Sequence, residues 1–211
     1  MPNSTTHIVD YGLGNIMSVY QGLEAVGSRP LLTAQPEEVL RAERLILPGV
    51  GAFGVAMKSL QEQGLSSAIQ EAAHAGVPIL GICLGMQLLF DTSSEFGATT
   101  GLGLISGGVS PLVTTPKPGG LRTTHVGWRS LRLHLDADPK IAKGVDPLDS
   151  YYFVHSFAAT PARPEDLWGS VTYGEHSIAA LVGSGNVWGS QFHPEKSGAA
   201  GLTFLGTFVN G

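Results

Sequence analysis

The sequence predicts an α/β protein with a mainly parallel central sheet flanked by helices and a β-rich second half of antiparallel or mixed pairing. Up to about Ser94, short uninterrupted apolar runs alternate with stretches of helical periodicity, a pattern typical of strands covered on both faces. Beyond that point, strand-like segments follow one another without an obvious intervening helix. Only 14% of the residues are charged and 43% are hydrophobic, which agrees with a largely buried sheet.

Three short apolar runs predict the strands of the first half, and helical patterns separate them. Asn15 is placed to cap the first helix, because Asn is favoured at this position and the apolar residues after it recur at a spacing of about 3.6. The predicted strands are 7–10, 44–47 and 77–83, and the predicted helices are 16–26, 65–76 and 84–90.

Strands dominate the predicted second half, and a helical pattern returns only at 199–209. The predicted strands are 128–134, 151–154, 171–173, 177–182 and 187–192. The sequence contains no internal repeat, low-complexity block or long linker. We therefore expect residues 1–211 to form a single α/β domain that carries a β-rich insertion.

The charge balance and the first residues argue against several classes of partner. There are 12 Lys and Arg residues against 17 Asp and Glu, a formal charge of −5, and no basic run that could neutralise a series of phosphates. Residues 1–6 have neither the basic nor the apolar segment of a signal peptide. No apolar stretch approaches the roughly 18 residues of a membrane helix. We expect a cytoplasmic protein without nucleic-acid or membrane partners.

The signatures of metals and nucleotide cofactors are incomplete. Cys83 is the only cysteine, which rules out an internal disulfide or a thiolate metal cage, and the histidines lack metal-ligand spacing. Segment 10–15 resembles the start of a dinucleotide fingerprint, but Met17 stands where the third glycine is needed. Segment 48–54 is not followed by the Gly-Lys-Ser/Thr of a Walker loop. We expect neither a metal nor a cofactor.

Gly81-Ile82-Cys83-Leu84-Gly85 lies where a predicted strand turns into a helix. A tight turn there strains the backbone of the central residue, and glycines two residues away on either side remove Cβ clashes, as in a nucleophile elbow. The sulfur would then sit at a helix N-terminus, which favours the thiolate. The alternative is that Cys83 is a small buried apolar residue.

His193-Pro194-Glu195 ends the last predicted strand and offers the proton shuttle that a thiolate nucleophile requires. Residues i and i+2 of an extended segment point the same way. Glu195 can therefore hydrogen-bond one imidazole nitrogen of His193 while the other nitrogen faces the sulfur. The alternative is an ordinary surface turn.

A third pattern, Pro48-Gly49-Val50-Gly51-Ala52-Phe53-Gly54, directly follows the second buried strand. Its glycines let backbone N–H groups approach a ligand closely. The segment can therefore serve as an anion nest or as half of an oxyanion hole.

Three motifs, in this order, resemble those of the class I (triad) glutamine amidotransferases: Pro-Gly-Val-Gly at 48–51, Gly-Ile-Cys-Leu-Gly-Met-Gln at 81–87 and Phe-His-Pro-Glu at 192–195. Within that class, the chain most resembles the glutaminase subunits of imidazole glycerol phosphate synthase. The segments that favour this subgroup are 10–15, 125–128, 152–156 and 191–197. The resemblance spans about residues 6–208 and implies a flavodoxin-like α/β fold.

The resemblance implies a role for each motif. Cys83 would be the nucleophile, His193 the general base and acid, and Glu195 its orienting partner. Backbone N–H groups of Leu84 and of the Gly49, Val50 and Gly51 segment would form the oxyanion hole. L-Glutamine would be hydrolysed to glutamate and ammonia through a thioester, and the residues that bind it would be Gly51, Gln87, His155, Ser156 and Phe157.

The resemblance also implies a heterodimer with a (β/α)8 barrel cyclase subunit. That partner would use the ammonia to make imidazole glycerol phosphate and the aminoimidazole carboxamide ribotide in histidine biosynthesis. Asp10, Asn15, Trp128 and Lys196 match positions on the interface side. Judged from the residues alone, Asn15 can equally be a helix cap, Trp128 a core aromatic residue and Lys196 a solvated surface residue.

Three residues depart from the family pattern, and none belongs to the triad. Arg129 stands where Asn is common, Thr124 where Pro is frequent, and Phe157 where Tyr is common.

Other hypotheses fit parts of the sequence. A glutaminase subunit could serve a different acceptor synthase, and a stand-alone cysteine hydrolase could use the triad alone. A flavodoxin-like interaction module could keep the elbow as a scaffold without catalysis. Glutaminase activity, and its dependence on a cyclase partner, separates these hypotheses.

Overall fold

Three sheets and seven α-helices make up the computed structural model over residues 4–112, 122–134 and 139–211, the part of the chain that it describes. The strands are β1 (Thr5–Val9), β2 (Arg29–Thr33), β3 (Leu45–Leu47), β4 (Ile79–Ile82), β5 (Phe90–Ser93), β6 (Thr99–Thr100), β7 (Ile105–Pro111), β8 (His125–Arg129), β9 (Arg132–Leu133), β10 (Tyr151–His155), β11 (Phe157–Pro161), β12 (Leu167–Tyr173), β13 (His176–Ser184) and β14 (Val187–Ser190). The helices are α1 (Ile16–Ala25), α2 (Pro36–Val39), α3 (Phe53–Glu62), α4 (Leu65–His74), α5 (Leu84–Leu88), α6 (Pro139–Gly144) and α7 (Gly198–Asn210).

The central sheet has eight strands in the order β2-β1-β3-β4-β14-β13-β12-β9. Pairing is parallel from β2 to β14 and antiparallel from β14 to β9. Leu47 pairs with Gly81, and Ser190 pairs with Ile82. The chain segments that follow β3, β4 and β14 therefore emerge side by side at one edge, where ligand sites of parallel sheets form.

Alternation along the parallel strands sends side chains into two cores. Ile46 and Leu80 pack with residues of α1 and α7, whereas Leu45, Leu47 and Ile79 pack with residues of α3, α4 and α5. Apolar residues on both strand faces are thus buried by helices on both sides. The predicted mainly parallel, helix-flanked sheet is confirmed.

The second half is rich in β-structure, as predicted, but it forms two further small sheets. β8 and β10 pair antiparallel, and β11, β7, β5 and β6 form a mixed four-stranded sheet. The single strand predicted at 128–134 is wrong, because β8 and β9 are separated by Ser130 and Leu131 and belong to different sheets. The short helix α6 is missing from the prediction.

Several predicted elements differ in extent or were not anticipated. The helix predicted at 84–90 ends at Leu88, since Phe90 begins β5 and pairs with Ile105. Neither β2 nor α3 was predicted. Asn15 occupies the N-cap position of α1, as predicted, but its side chain makes no capping hydrogen bond to the described residues.

Candidate active site

The strand-to-helix turn at Cys83 has the geometry of a nucleophile elbow. Cys83 has φ 54° and ψ −108°, a conformation that non-glycine residues rarely adopt, and such strain costs about 1–3 kcal/mol. A Cβ on Gly81 would lie 2.6 Å from the carbonyl oxygen of Gly85. A Cβ on Gly85 would collide with the carbonyl oxygen of Leu47. The predicted need for both glycines is therefore confirmed.

The Cys83 sulfur lies between two polar groups at the wall of a cavity. Nε2 of Gln191 donates to Sγ at 3.7 Å, and the thiol is 3.9 Å from the carbonyl oxygen of Val154. The residue is buried but lines the cavity. The interpretation of Cys83 as an inert apolar residue does not fit these polar contacts.

His193 and Glu195 form the predicted contact, although not by the predicted backbone path. Nδ1 of His193 lies 2.8 Å from Oε1 of Glu195, and the two side chains are 3% and 1% exposed. The chain is not extended there, because Pro194–Lys196 is a turn of 3-10 helix. The backbone of His193 is held at both ends: its N–H donates to the carbonyl of Tyr152, and Ser197 Oγ donates to its carbonyl oxygen. A surface turn is therefore the wrong interpretation.

The imidazole of His193 carries a proton at neutral pH. Burial disfavours the charged form, but Cys83 and Glu195 outweigh it and raise the pKa of His193 to about 9. The carboxylate of Glu195 fixes Nδ1 as a donor. Nε2 is buried and makes no hydrogen bond to a described residue. It is therefore available for proton transfer in the cavity that His193 shares with Cys83.

The cavity has a volume of about 480 Å³, within the usual range for small-molecule sites. It brings together most of the site residues that the sequence predicts, and it adds Glu95, Phe96, Thr124 and Val154. Its lining residues are Val50, Gly51, Cys83, Leu84, Gln87, Glu95, Phe96, Thr124, Val154, His155, Ser156, Phe157 and His193. Gly49 and Glu195 instead line a narrow neighbouring cleft.

The glycine-rich segment and the elbow contribute backbone N–H groups to the cavity that Cys83 lines. Gly51 has φ +106°, which favours glycine. A Cβ on Gly49 would lie 3.0 Å from that of Leu84, so the segment is packed against the elbow. The N–H groups of Val50, Gly51 and Leu84 donate to no residue in the described ranges.

A pair of buried histidines supports the far wall of the cavity. Nδ1 of His155 donates to the carbonyl of Phe157 at 2.8 Å, and Nε2 of His155 lies 3.0 Å from Nδ1 of His125 on the facing strand. Because a carbonyl only accepts, His155 must present an unprotonated Nε2 to a donor on His125. Burial lowers the pKa of each histidine to about 4. Both imidazoles are therefore neutral at pH 7.

Two of the residues that depart from the family pattern have defined contacts. Thr124 Oγ1 lies 2.7 Å from Ser156 Oγ, so this hydroxyl joins the cavity wall. Nη1 of Arg129 donates to the carbonyl of Trp128 at 2.8 Å, at the surface.

The four predicted interface residues all reach the surface to some degree. Trp128 is 50% exposed and contacts Tyr152, so the interpretation as a core aromatic residue is wrong. Lys196 is exposed, as its solvated interpretation requires, and Asp10 and Asn15 are partly exposed. Oδ1 of Asp10 accepts the N–H of Gly12, and Asn15 lines the same cleft as Glu195.

Sequence reasoning missed Glu95 and Gln191 as site residues. Gln191 precedes His193 by two residues, and strand alternation could have placed both on one side. Glu95, whose Oε2 accepts the N–H of Phe53 at 2.7 Å, follows no recognisable local pattern.

The described residues contain no cluster of three His, Cys, Asp or Glu groups positioned to hold a metal. No helix in the described ranges has the length and apolar character to span a membrane.

The arrangement of Cys83, His193 and Glu195 on a helix-flanked parallel sheet indicates a class of protein, which a comparison with protein families identifies. The profile of the class-I glutamine amidotransferases matches residues 7–209, and the chain belongs to this family. It is 46% identical to the imidazole glycerol phosphate synthase subunit HisH of Bacillus licheniformis, over 95% of this chain and 93% of that protein. It is 48% identical to the subunit of the same name from Methanosarcina barkeri, over 96% of each chain.

Solved structures share the fold at much lower sequence identity. PurLQS from Thermotoga maritima aligns with a TM-score of 0.73 at 20% identity, covering 99% of this chain and 98% of that one. A crystal structure described as a glutamine amidotransferase aligns with a TM-score of 0.70 at 19% identity, covering 97% and 99%. These similarities support the fold.

Proposed function

We propose that this chain is the glutaminase subunit of an imidazole glycerol phosphate synthase. In this proposal it hydrolyses L-glutamine and supplies ammonia to a cyclase subunit in histidine biosynthesis. The observation that carries the chemistry is the cavity shared by the Cys83 sulfur and a charged His193 oriented by Glu195. The choice of acceptor pathway is supported by the subunits of that name, which are 46% and 48% identical to this chain.

The polar groups of the cavity fit an amino acid with a side-chain amide. Glu95 supplies the acidic side chain among the lining residues, and a carboxylate there favours an α-ammonium group. The Gln87 amide and the Ser156 hydroxyl lie in the same wall and can hydrogen-bond the rest of the substrate. We assign Gly51, His155 and Phe157 to shaping this wall.

The first half-reaction forms a thioester and releases ammonia. The thiolate of Cys83 attacks the side-chain carbonyl carbon of glutamine, and the carbonyl electron pair moves to oxygen. The oxyanion accepts N–H donors from Leu84 and from the Gly49, Val50 and Gly51 segment; such a donor lowers the barrier by about 3–4 kcal/mol. His193 gives its Nε2 proton to the amide nitrogen, the C–N bond breaks, and ammonia leaves.

The second half-reaction returns the enzyme to its starting state. Neutral His193 takes a proton from water as the water oxygen attacks the thioester carbon, and the C–S bond then breaks. The products are the thiolate of Cys83, a protonated His193 and glutamate, whose new side-chain carboxyl group loses its proton to water. Glu195 stabilises the imidazolium at both stages without exchanging a proton itself.

In this proposal, a partner subunit binds the exposed surface near the triad. A (β/α)8 barrel cyclase in a heterodimer would contact Asp10, Asn15, Trp128 and Lys196. Support comes from exposed Trp128, which packs on Tyr152, since aromatic residues are enriched in interface cores. Tyr152 also contacts His193, so a partner bound at Trp128 would lie two side chains from the triad.

The proposal treats residues 1–211 as one amidotransferase domain in the cytoplasm. The family match over residues 7–209 supports the single domain. A reducing compartment keeps a lone nucleophilic thiol such as Cys83 in its active form.

Glutamate release by the purified chain, with and without a barrel cyclase and its nucleotide ligand, tests the proposal. We expect weak hydrolysis by the chain alone and strong hydrolysis by the liganded complex. Cys83→Ala is the control, and a complex no faster than this variant contradicts the glutaminase assignment. An active enzyme that fails to complement a histidine auxotroph, in the presence of its cognate cyclase, serves another acceptor.

A further inference from the structure

We propose that Gln191 is a positioning residue that sets the state of the sulfur and decides which end of Gln87 faces the cavity. The inference rests on the proposed function, because it assigns a specificity device to the same site. Gln191 is fully buried and contacts both Cys83 and Gln87. None of the motif assignments gives its side chain a role.

The sulfur fixes the orientation of the Gln191 amide. In the thiolate state that the proposed attack requires, the sulfur only accepts hydrogen bonds, so the group that Gln191 directs to Sγ at 3.7 Å must be its NH2. The amide oxygen of Gln191 then points to Gln87 and accepts from Nε2 of that residue at 2.9 Å. Because the sulfur takes the NH2 group of Gln191, the Gln87 amide must direct its own NH2 group to the oxygen of Gln191.

The opposite end of the network imposes the same orientation. Nε2 of Gln87 also lies 3.1 Å from the carbonyl oxygen of Phe157, which is an obligate acceptor. That carbonyl accepts Nδ1–H of His155 as well, at 2.8 Å. Gln87 therefore directs its NH2 group to two acceptors, and turning its amide over would place oxygen against oxygen at both.

With its NH2 group held in this way, Gln87 presents its amide oxygen, a hydrogen-bond acceptor, at the cavity wall. Gln87 lines the cavity, and its Oε1 accepts no hydrogen bond from the described residues. An acceptor fits the N–H of the glutamine side-chain amide and opposes a carboxylate oxygen. We infer that the Gln191 and Phe157 contacts favour glutamine over the product glutamate, whose side chain carries a second oxygen in place of NH2.

The test uses Gln191→Met and Gln191→Glu in the full-length chain. Met removes both polar contacts at similar volume, and Glu keeps an acceptor for Gln87 but removes the donor to sulfur. Gln70→Met is the matched control, because among the described residues the Nε2 of Gln70 donates only to the carbonyl of Leu102, and Gln70 does not line the cavity. Circular dichroism verifies that each variant is folded, and the Glu variant carries the test of the sulfur contact where the Met variant does not fold.

The first measurement is the pH dependence of Cys83 alkylation by iodoacetamide. Loss of a hydrogen bond to a charged group corresponds to about one pH unit, so we expect the midpoint to rise by about one unit in both Gln191 variants. Gln70→Met should match the wild type. This readout needs neither glutamine nor a partner, so it stands even where the glutaminase proposal fails. A folded Gln191 variant with an unchanged midpoint overturns the sulfur contact.

The second measurement is the ratio of the glutamate inhibition constant to the KM for glutamine in the cyclase complex. We expect this ratio to fall about tenfold in Gln191→Met, because the Gln87 amide is free to turn. In Gln191→Glu the ratio should stay near that of the wild type, since the Oε acceptor for Gln87 remains. Equal ratios in Gln191→Met, Gln70→Met and the wild type overturn the specificity role.

Discussion

Replacing Glu195 by Gln removes the negative charge beside His193 and leaves the shape of the side chain nearly unchanged. In the wild type, Oε1 of Glu195 lies 2.8 Å from Nδ1 of His193, and both side chains are almost completely buried. The carboxylate can only accept, so it fixes Nδ1–H and leaves Nε2 toward the cavity. An amide can rotate to present N–H instead, which favours the opposite tautomer of His193.

The size of the expected pKa shift follows from the buried contact between Glu195 and His193. A hydrogen bond to a charged group contributes about 1.5–3 kcal/mol, and one pKa unit corresponds to about 1.4 kcal/mol. Starting from about 9, the pKa of His193 should therefore fall by about one to two units in Glu195→Gln. The same free energy withheld from the transition state slows turnover by between about tenfold and a hundredfold.

The sign of the stability effect follows from linkage. Because the folded-state pKa of His193 is raised above 6.5, its proton stabilises the fold fully below pH 6.5, and this contribution disappears as the pH rises through about 9. In Glu195→Gln the pKa of His193 is raised less, so the variant loses less unfolding free energy over the same pH range. Between pH 6.5 and 9.5, we expect the wild type to lose about 1–2.5 kcal/mol more unfolding free energy than Glu195→Gln.

Imidazole NMR titration measures the shift of His193, and urea unfolding at the two pH values measures the stability difference. Glu62→Gln is the matched control, because within the described part of the chain the Glu62 side chain makes only an exposed ion pair with Lys58 at 3.7 Å, and such a pair contributes little to stability. A His193 titration midpoint that is the same in Glu195→Gln and in the wild type refutes the reasoning.

Two further predictions concern the elbow and the buried histidines. Gly85→Ala should destabilise the protein by several kcal/mol or abolish folding, because the new Cβ would meet the backbone carbonyl of Leu47. In thermal unfolding, Gly54→Ala is its helical control and should be neutral or stabilising; a Gly85→Ala variant that melts with the wild type contradicts the packing argument. His155 should titrate near pH 4 by NMR, since burial lowers its pKa. Because its folded-state pKa is depressed, stability should fall by up to about 3 kcal/mol as the pH drops from 6.5 through 4; a midpoint near 6.5 would show that the ring is not buried as described.

The features that the sequence predicts well are those encoded within a few residues. Gly81 and Gly85 flank Cys83 at the spacing that a strained turn requires, and the structure shows the clash that each avoids. His193 and Glu195 meet because they are two residues apart, and a 3-10 turn brings them together as well as an extended segment would. The predicted contact between His193 and Glu195 is therefore correct, although the extended backbone predicted for it is wrong.

The missed elements lack a strong local pattern. β2 contains Pro30, and both Leu31 and Leu32 are exposed, so this edge strand shows no clean alternation of buried and exposed residues. Helix α3 begins at Phe53, inside the glycine-rich segment 48–54, whose pattern predicts close backbone approach to a ligand and not a helix, and Gly54 is a poor helix former. Tertiary burial of Phe53, Met57 and neighbouring residues stabilises the helix despite this composition.

The remaining site residues depend on strand register, which a single sequence does not encode. His125 and His155 are 30 residues apart and meet because β8 and β10 pair them directly. The contact from Gln87 to Gln191 spans 104 residues and requires β4 and β14 to be neighbours. A local motif is therefore enough to predict Cys83 and His193 as the reactive groups. We propose that the orientation of the Gln87 amide selects glutamine. This orientation arises only when distant strands pair, so variants of Gln191 test the assembled edge of the sheet as well as the residue itself.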